Sequence, residues 1–519
     1  MASDEQRYKA TLRFLIASYR RSDQKGLVGG RNVGGSLAYS FDGGGPVSEK
    51  DVADLRNWLG RAIQDGATIE TTQVPYAEAL ELCVTFGLSR SVALLKSRVT
   101  DAVEIHRLHG APTTNGSAPV GIALMGERLL PRASDVEMPN LTVVDGSLIV
   151  DLGAATAGEA PPKTKRPKGT HPSVEHSKSV LEATSELAAW GGWLGVDGMG
   201  ALNQLASSGR ELNDFILQAE FRQESILTRL AAAIAARVHG GGSERIGVVC
   251  IAGPTSSGKT TFANKLTMYL RNVGLAGIPL TVDHYYLPLD RQPKYQARQQ
   301  RSDVDYDAIE SMDAALVNEH INALLEGKEV LTPVYNMKSG YRDGDGVPFK
   351  LPSPVSKSLL VIEGIHALNP DFLRSVAPGK VFRVYISPLS ALQLTEGVAL
   401  KTTDARLLRR MCRDYNFRGA SASRTLSMWS NVRRGEGRWI FPFQDAVDFV
   451  VNSSHEYEVR VLKPLVEPLL MAVPPTDAHY DKARSLLQML ALISAAPTTH
   501  VPTTSLLREF IGGGDFDCH

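Results

Sequence analysis

The stretch GPTSSGKTT, residues 253–261, decides how this chain folds. It matches the spacing GxxxxGK[ST], preceded by the apolar run VVCIA and followed by the helical pattern TFANKLTMYLRN. Strand, glycine-rich turn and helix in that order make a cradle for phosphate. The glycines let the backbone wrap with its N–H groups turned inward, and the helix N-terminus adds partial positive charge. Gly253, Pro254, Thr255, Ser256, Ser257, Gly258, Lys259, Thr260 and Thr261 are therefore the expected nucleotide-binding residues. Lys259 would reach the β- and γ-phosphates and the Thr260 hydroxyl would ligate Mg²⁺, so ATP and Mg²⁺ are the expected cofactors. ATPases, GTPases, motors and small-molecule kinases share such a loop, which fixes nucleotide binding but not the reaction.

Working outward, residues from 245 onward alternate short β-branched runs with helical patterns. RIGVVCIAG, IPLTVDHYY, SLLVIEGIHAL, KVFRVYIS and AVDFVVNSS read as strands of a parallel sheet covered by helices on both faces. Such sheets place their chemistry at the carboxyl ends of the strands. LTVDHYY brings Asp283 there, where a carboxylate can accept the proton of an attacking hydroxyl. LVIEG brings Glu363, placed to hold Mg²⁺, with Gly364 allowing close approach. Either acid alone could equally be a helix cap or turn residue; two strand-end acids beside the loop point to chemistry. In TTDARLLRRMCRDYNFRGAS, Arg406, Arg409, Arg410 and Arg413 recur at helical steps on one face. Asp404 and Asp414 are too few to neutralise that row, which suits a lid that stabilises charge on a transferring phosphoryl group. No NKxD stretch follows a late strand, which disfavours a GTP switch.

The remaining composition bounds the class. The 519 residues suffice for two to four domains, and 56 basic against 56 acidic residues give zero net charge, against a polyanion-coating role. Cys83, Cys250, Cys412 and Cys518 are scattered, without a CxxC pair, as in a reducing compartment. The polar start MASDEQRYKATLRF and the lack of a long apolar run make the chain read as soluble and cytoplasmic. ATLRFLIASYRR reads as a helix, SLAYSF as a strand, SEKDVADLRNWLGRAIQDG as a helix capped by Ser48, and PYAEALELCVTFG as a further helix. The expected segments are a front α+β domain over 1–112, an irregular region and linker over 113–175, a helical connector over 176–240, a nucleotide-binding domain over 241–475 and a helical extension over 476–519. KTKRPK in the linker admits nucleic acid as a partner, but a solvated linker accounts for it as well.

These residues carry a resemblance. The stretches IAGPTSSGKTTFANKL, TVDHYYLP, DAALVNEHINALLEGKEVLTPVYNMKSGYR, VIEGIHALNP and TDARLLRRMCRDYNFRG resemble the uridine kinase/phosphoribulokinase family of P-loop kinases over some 270 residues. WSNVRRGEGRWIFPFQDAVDFVVNSS and the closing SLLREFIGGGDF are similar to a uridine kinase-like, nucleoside kinase subgroup. Residues 33–98 resemble the second additional, editing-type domain of threonyl-tRNA synthetase that such members carry in front. The implied fold is an α/β P-loop NTPase sheet preceded by a synthetase-like α+β domain and a helical connector. The resemblance makes Asp283 the general base, Lys259 and Thr260 the nucleotide and Mg²⁺ residues, Glu363 the metal-side acid, and Arg406, Arg410 and Arg413 the lid. Glu310, with Asp305 as the alternative, falls where an acid grips the ribose hydroxyls. Tyr335 matches the aromatic that stacks on the base, and Arg342 a basic residue of that site.

Two departures qualify this. Uridine-cytidine kinases read PVYDFxxHxR, whereas this chain has Asn336 for the acid and Gly340 for the histidine, so the acceptor stays open. The front domain lacks the HxxxH and CxxxH of an editing site; His106 and His109 make a thin metal case, and loop or cap roles fit them better. It is expected not to hydrolyse aminoacyl-tRNA. The expected activity is transfer of the γ-phosphate of ATP to a hydroxyl of a nucleoside-like small molecule. The alternatives are a catalytically weak, ATP-binding regulatory or RNA-associated protein, and a kinase for a sugar phosphate or another small alcohol, with Lys294, Arg298 and Arg301 as the candidate basic cluster. No membrane partner is expected, and self-association stays open.

Overall fold

The computed structural model describes residues 4–20, 23, 25–33, 36–42, 44–98, 100–111, 120–122, 129–151, 178–205, 209–240, 245–292, 308–336, 339–444 and 446–516. KTKRPK, Asp305 and the run holding Lys294, Arg298 and Arg301 lie outside them. The chain divides into two compact units: residues 1–214, 389–408 and 456–497 form the first, and 215–388, 409–455 and 498–519 the second. The segmentation expected at 112, 175, 240 and 475 differs from this division, because each unit draws on stretches far apart in sequence.

The first unit opens with α1 (Asp4–Ser18), β1 (Leu27–Val33), β2 (Ser36–Phe41), α2 (Glu49–Gln64), β3 (Thr68–Pro75), α3 (Tyr76–Thr85), α4 (Ser89–Lys96), β4 (Ala102–His109), β5 (Val120–Ile122), β6 (Asn140–Val144) and β7 (Ser147–Asp151). Two antiparallel sheets result, in the orders β1-β2-β7-β6 and β3-β4-β5. The start of α2 is fixed by a reciprocal cap: Ser48 Oγ accepts from the Asp51 amide at 3.2 Å and the Asp51 carboxylate accepts from the Ser48 amide at 2.9 Å. Its apolar stripe, Val52, Leu55, Leu59 and Ala62, joins a core with Leu12, Leu15, Tyr39 and Leu148. Part of the stretch expected to be irregular is thus ordered: 140–144 and 147–151 are a hairpin completing the first sheet, with Asp145 and Gly146 at positive φ in its turn. His106 and His109 lie on β4, not in a loop or cap. Three residues apart on a strand, they point to opposite faces, so they share no metal. His106 bonds Thr71 Oγ1 at 2.8 Å and His109 pairs with Glu70 at 3.0 Å.

Helices α5 (Lys178–Trp193), α6 (Met199–Gln204) and α7 (Arg210–His239) occupy the stretch expected to be helical. The second unit holds β8 (Val248–Ala252), α8 (Lys259–Asn272), β9 (Ala276–Thr281), α9 (Ala314–Leu325), β10 (Ser358–Glu363), β11 (Val381–Ser387), the later part of α10 (Thr402–Arg418), α11 (Ala422–Trp439) and β12 (Phe449–Asn452). All five expected strands pair in parallel, in the order β12-β11-β8-β10-β9, giving the α/β sheet of a phosphate-loop protein. Central β8 and β10 read as continuous apolar runs because both faces are covered: Val248, Val249, Ile251, Leu360 and Val361 are fully buried, each stabilising the fold by roughly 1.5–3 kcal/mol. Register places Glu363 level with Ile251 and with Thr281, so β8, β9 and β10 end together and deliver their carboxyl ends to one place. Among the described residues, no helix is long and apolar enough to cross a membrane.

Candidate active site

The loop between β8 and α8 takes its shape from three tight positions. Ser256 and Gly258 adopt left-handed φ values of 61° and 86°. At Gly253 a Cβ would stand 1.9 Å from the Ile386 carbonyl oxygen, so only glycine lets the loop leave the sheet there. Lys259 folds back over the loop, Nζ donating to the carbonyls of Gly253 at 3.0 Å and Pro254 at 3.3 Å. Burial lowers its pKa, while Glu363, Glu509 and Asp283 oppose that fall.

The two strand-end acids converge on this lysine. Thr260 Oγ1 donates to Glu363 Oε1 at 3.3 Å. Burial, and then the neighbouring Asp283, pushes the Glu363 carboxyl up to about 7, with Lys259 pulling it down. Asp283 lies just past β9, in the turn Val282–Tyr285 and not at the strand's last residue. Protein crowding raises its pKa and Lys259 opposes the rise; the side chain also meets solvent, which limits the effect. A hydroxyl and a carboxylate so close offer the all-oxygen donors that a hard divalent cation takes, so Thr260 and Glu363 fit Mg²⁺. Among the described residues no cluster of three or more His, Cys, Asp or Glu side chains forms a metal site.

The arginine row divides. Arg406 is buried and belongs to the first unit, whereas the loop belongs to the second. Arg410 and Arg413 are also buried, and Asp414, 4 % exposed, takes both, at 3.0 Å and 3.1 Å, with Arg418 at 3.6 Å. One enclosed carboxylate accepts from several guanidinium groups at once but carries a single negative charge, and Asp404 pairs instead with Lys482 at 2.6 Å. Arg409, counted in the row but not among the lid residues that the resemblance implies, is fully buried and braces the loop, donating to the carbonyls of Ser256 at 3.4 Å and Ser453 at 2.8 Å. Ser453 Oγ in turn donates to the Ser257 carbonyl at 2.7 Å.

The expected acceptor residues fall into one ribbon and one outlier. Tyr335 pairs with Arg342 across a short antiparallel ladder. The Tyr335 ring packs on Tyr286 at 5.4 Å, and Arg342 donates to the Tyr286 carbonyl at 3.2 Å and to Asp313 at 3.1 Å. Both therefore stand beside the turn that carries Asp283. Glu310 is exposed on the turn Ile309–Ser311. The departures have local causes. Gly340 has φ 83°, where a histidine would be strained, and Asn336 donates to Asp343 at 3.1 Å and accepts from the Ser339 amide at 3.2 Å within the same turn.

Two further acids stand on the loop itself. Glu436 of α11 accepts from the Thr255 amide at 3.0 Å, and Glu509 accepts from Thr261 Oγ1 at 2.9 Å and from the Thr261 amide at 3.3 Å. They belong to WSNVRRGEGRW and SLLREFIGGGDF, stretches whose likeness to a subgroup was legible while their purpose was not.

Residues 248–460 match the model of the Phosphoribulokinase / Uridine kinase family. Proteins named Uridine kinase from Staphylococcus aureus strains JH9 and Newman are 27% identical over 215 residues, covering 41% of this chain and 91% of theirs. Among solved structures, D-glycerate 3-kinase from Cryptococcus neoformans var. grubii is 16% identical, covering 51% of this chain and 86% of that one, with a TM-score of 0.23. A structure described as a "Possible Uridine Kinase" from Bacillus stearothermophilus is 19% identical, covering 31% and 79%, with a TM-score of 0.24. The family match and the uridine kinase relatives support a P-loop small-molecule kinase.

Proposed function

We propose that the chain is an ATP- and Mg²⁺-dependent phosphotransferase that moves the γ-phosphoryl group to a hydroxyl of a nucleoside-like acceptor. The observation that carries this is the meeting of Lys259, Thr260, Asp283 and Glu363 at the carboxyl ends of three adjacent parallel strands. A protein that only binds nucleotide has no need of Asp283 beside the loop lysine.

In this reading Asp283 accepts the proton of the attacking hydroxyl, and its exposure leaves it open to an incoming substrate. Lys259 exchanges its contacts with the Gly253 and Pro254 carbonyls for phosphate oxygens and offsets their charge. Thr260 and Glu363 would hold Mg²⁺, which neutralises charge on the β- and γ-phosphates when bound. Arg410 and Arg413, held by Asp414, complete a positive wall. Tyr335 offers its ring and Arg342 its guanidinium to the acceptor.

The test is a transfer screen of the purified chain with labelled ATP against nucleosides, sugar phosphates and small hydroxy acids. Transfer to a nucleoside supports the reading. ATP binding without transfer to any member would overturn it in favour of a regulatory nucleotide binder.

A further inference from the structure

Two buried carboxylates, Glu436 on α11 and Glu509 in the chain beyond β12, stand on the phosphate loop. Thr261 is in the first turn of α8, where backbone N–H groups have no partner within the helix and the macrodipole favours an anion. That amide and the neighbouring hydroxyl both go to one oxygen of Glu509. On the loop's other side Thr255 N–H goes to Glu436, whose second oxygen accepts from Arg433 at 3.0 Å. Between them Leu506 covers Gly258 so closely that a Cβ there would lie 2.2 Å from the leucine methyl.

The segment bearing Glu509 and Leu506 is tied down along its length. Ser505 Oγ donates to Glu220 of α7 at 2.7 Å, Lys265 Nζ donates to the Thr504 carbonyl at 2.9 Å, and Asn416 donates to the Phe510 carbonyl at 3.2 Å. Arg508 donates to the carbonyls of Thr498, Val501 and Gly512, closing the segment on itself, and the Arg409 guanidinium lies 5.2 Å from the Phe510 ring. A preformed element thus presents an anion to the amide at which a phosphate-binding helix offers its positive end.

We propose that residues 498–512 form an autoinhibitory strap, in which Glu509 holds the Thr261 amide and hydroxyl that an incoming phosphate group would take. The proposal rests on the ATP-binding reading above. A polyphosphate must displace a like-charged carboxylate and lift Leu506 from Gly258, so the apparent affinity is reduced by the population of the strapped state.

The test uses the full chain and a fluorescent ATP analogue with Mg²⁺, comparing wild type, Glu509→Gln and Ser505→Ala, with hydrogen exchange read on the wild type. Glu509→Gln removes the charge while keeping the shape, and should lower the Kd roughly tenfold. Ser505→Ala loosens the strap without touching the loop and should move the Kd the same way by less. On analogue binding, wild-type amides 505–512 should exchange faster. An unchanged or higher Kd in both variants, or strap amides that become more protected, would overturn the strap and make the segment a wall of the nucleotide site. Failure of all three proteins to bind the analogue would overturn the ATP reading, and the strap with it.

Discussion

Asp283, just past β9, and Glu363, the last residue of β10, feel the same lysine, but their surroundings set them apart. Asp283 meets solvent, as a base that must reach a substrate hydroxyl has to. Asp283→Asn keeps the shape and removes the proton acceptor; turnover should fall by about 10²–10⁴ while the Kd for ATP stays near that of the wild type. Undiminished turnover in steady-state assays would remove Asp283 from the base role. Glu363 is half-buried and titrates near 7 rather than at the ordinary 4.5, so it takes up a proton as pH drops through neutrality and then offers a cation no charge. Apparent Mg²⁺ affinity should therefore weaken steadily from pH 8 to pH 6, and Glu363→Gln should bind weakly with little pH dependence over that range. For folding the sign is opposite: a carboxyl whose folded pKa lies above its unfolded value contributes stability below about 4.5 and loses it as pH rises through 7. Metal titrations that are flat in the wild type would show that Glu363 is not a ligand.

At the scale of elements, contacts between neighbours in sequence were legible and distant ones were not. The five parallel strands announce themselves as short β-branched runs, and Ser48 with Asp51 is a cap written in four consecutive residues. Glu363 closes β10 as its apolar run predicts, while Asp283 falls two residues past the end of β9. What escaped depends on chain brought in from afar: Glu436 and Glu509 reach loop residues 181 and 248 positions away, and no local periodicity marks either. The arginine row misled for a related reason. A helical face records which residues share a side of α10, but not that its first part belongs to one unit and its last to the other. Among the glycines described in the second unit, Gly253 leaves the least room for a side chain: a Cβ there would stand 1.9 Å from the Ile386 carbonyl of β11. Gly253→Ala must push them apart and should destabilise the chain by roughly 1–3 kcal/mol. Urea unfolding reads this directly, and a stability equal to the wild type's would mean that the loop leaves the sheet by another path.

At the scale of the whole molecule, different conditions should act on different units, because the groups that respond to them are segregated. His106 is buried in the first unit between Thr71 and the Phe14 ring, and burial holds its pKa down at about 4. A histidine depressed in the folded state contributes stability that is complete above its unfolded value of 6.5 and drains away as pH falls toward 4. ATP with Mg²⁺, binding only the folded second unit, should add about 2.7 kcal/mol when present at a hundred times its Kd. Hydrogen exchange, corrected for intrinsic rates, separates the two effects. Acidification from pH 7 to 4.5 should strip protection from β3 and β4 first, and His106→Asn should blunt that loss. Nucleotide should protect amides 253–261 and leave β1, β2, β6 and β7 at their former rates. An even response to either treatment across both units would show that His106 and the phosphate loop are not where the chain senses acid and nucleotide.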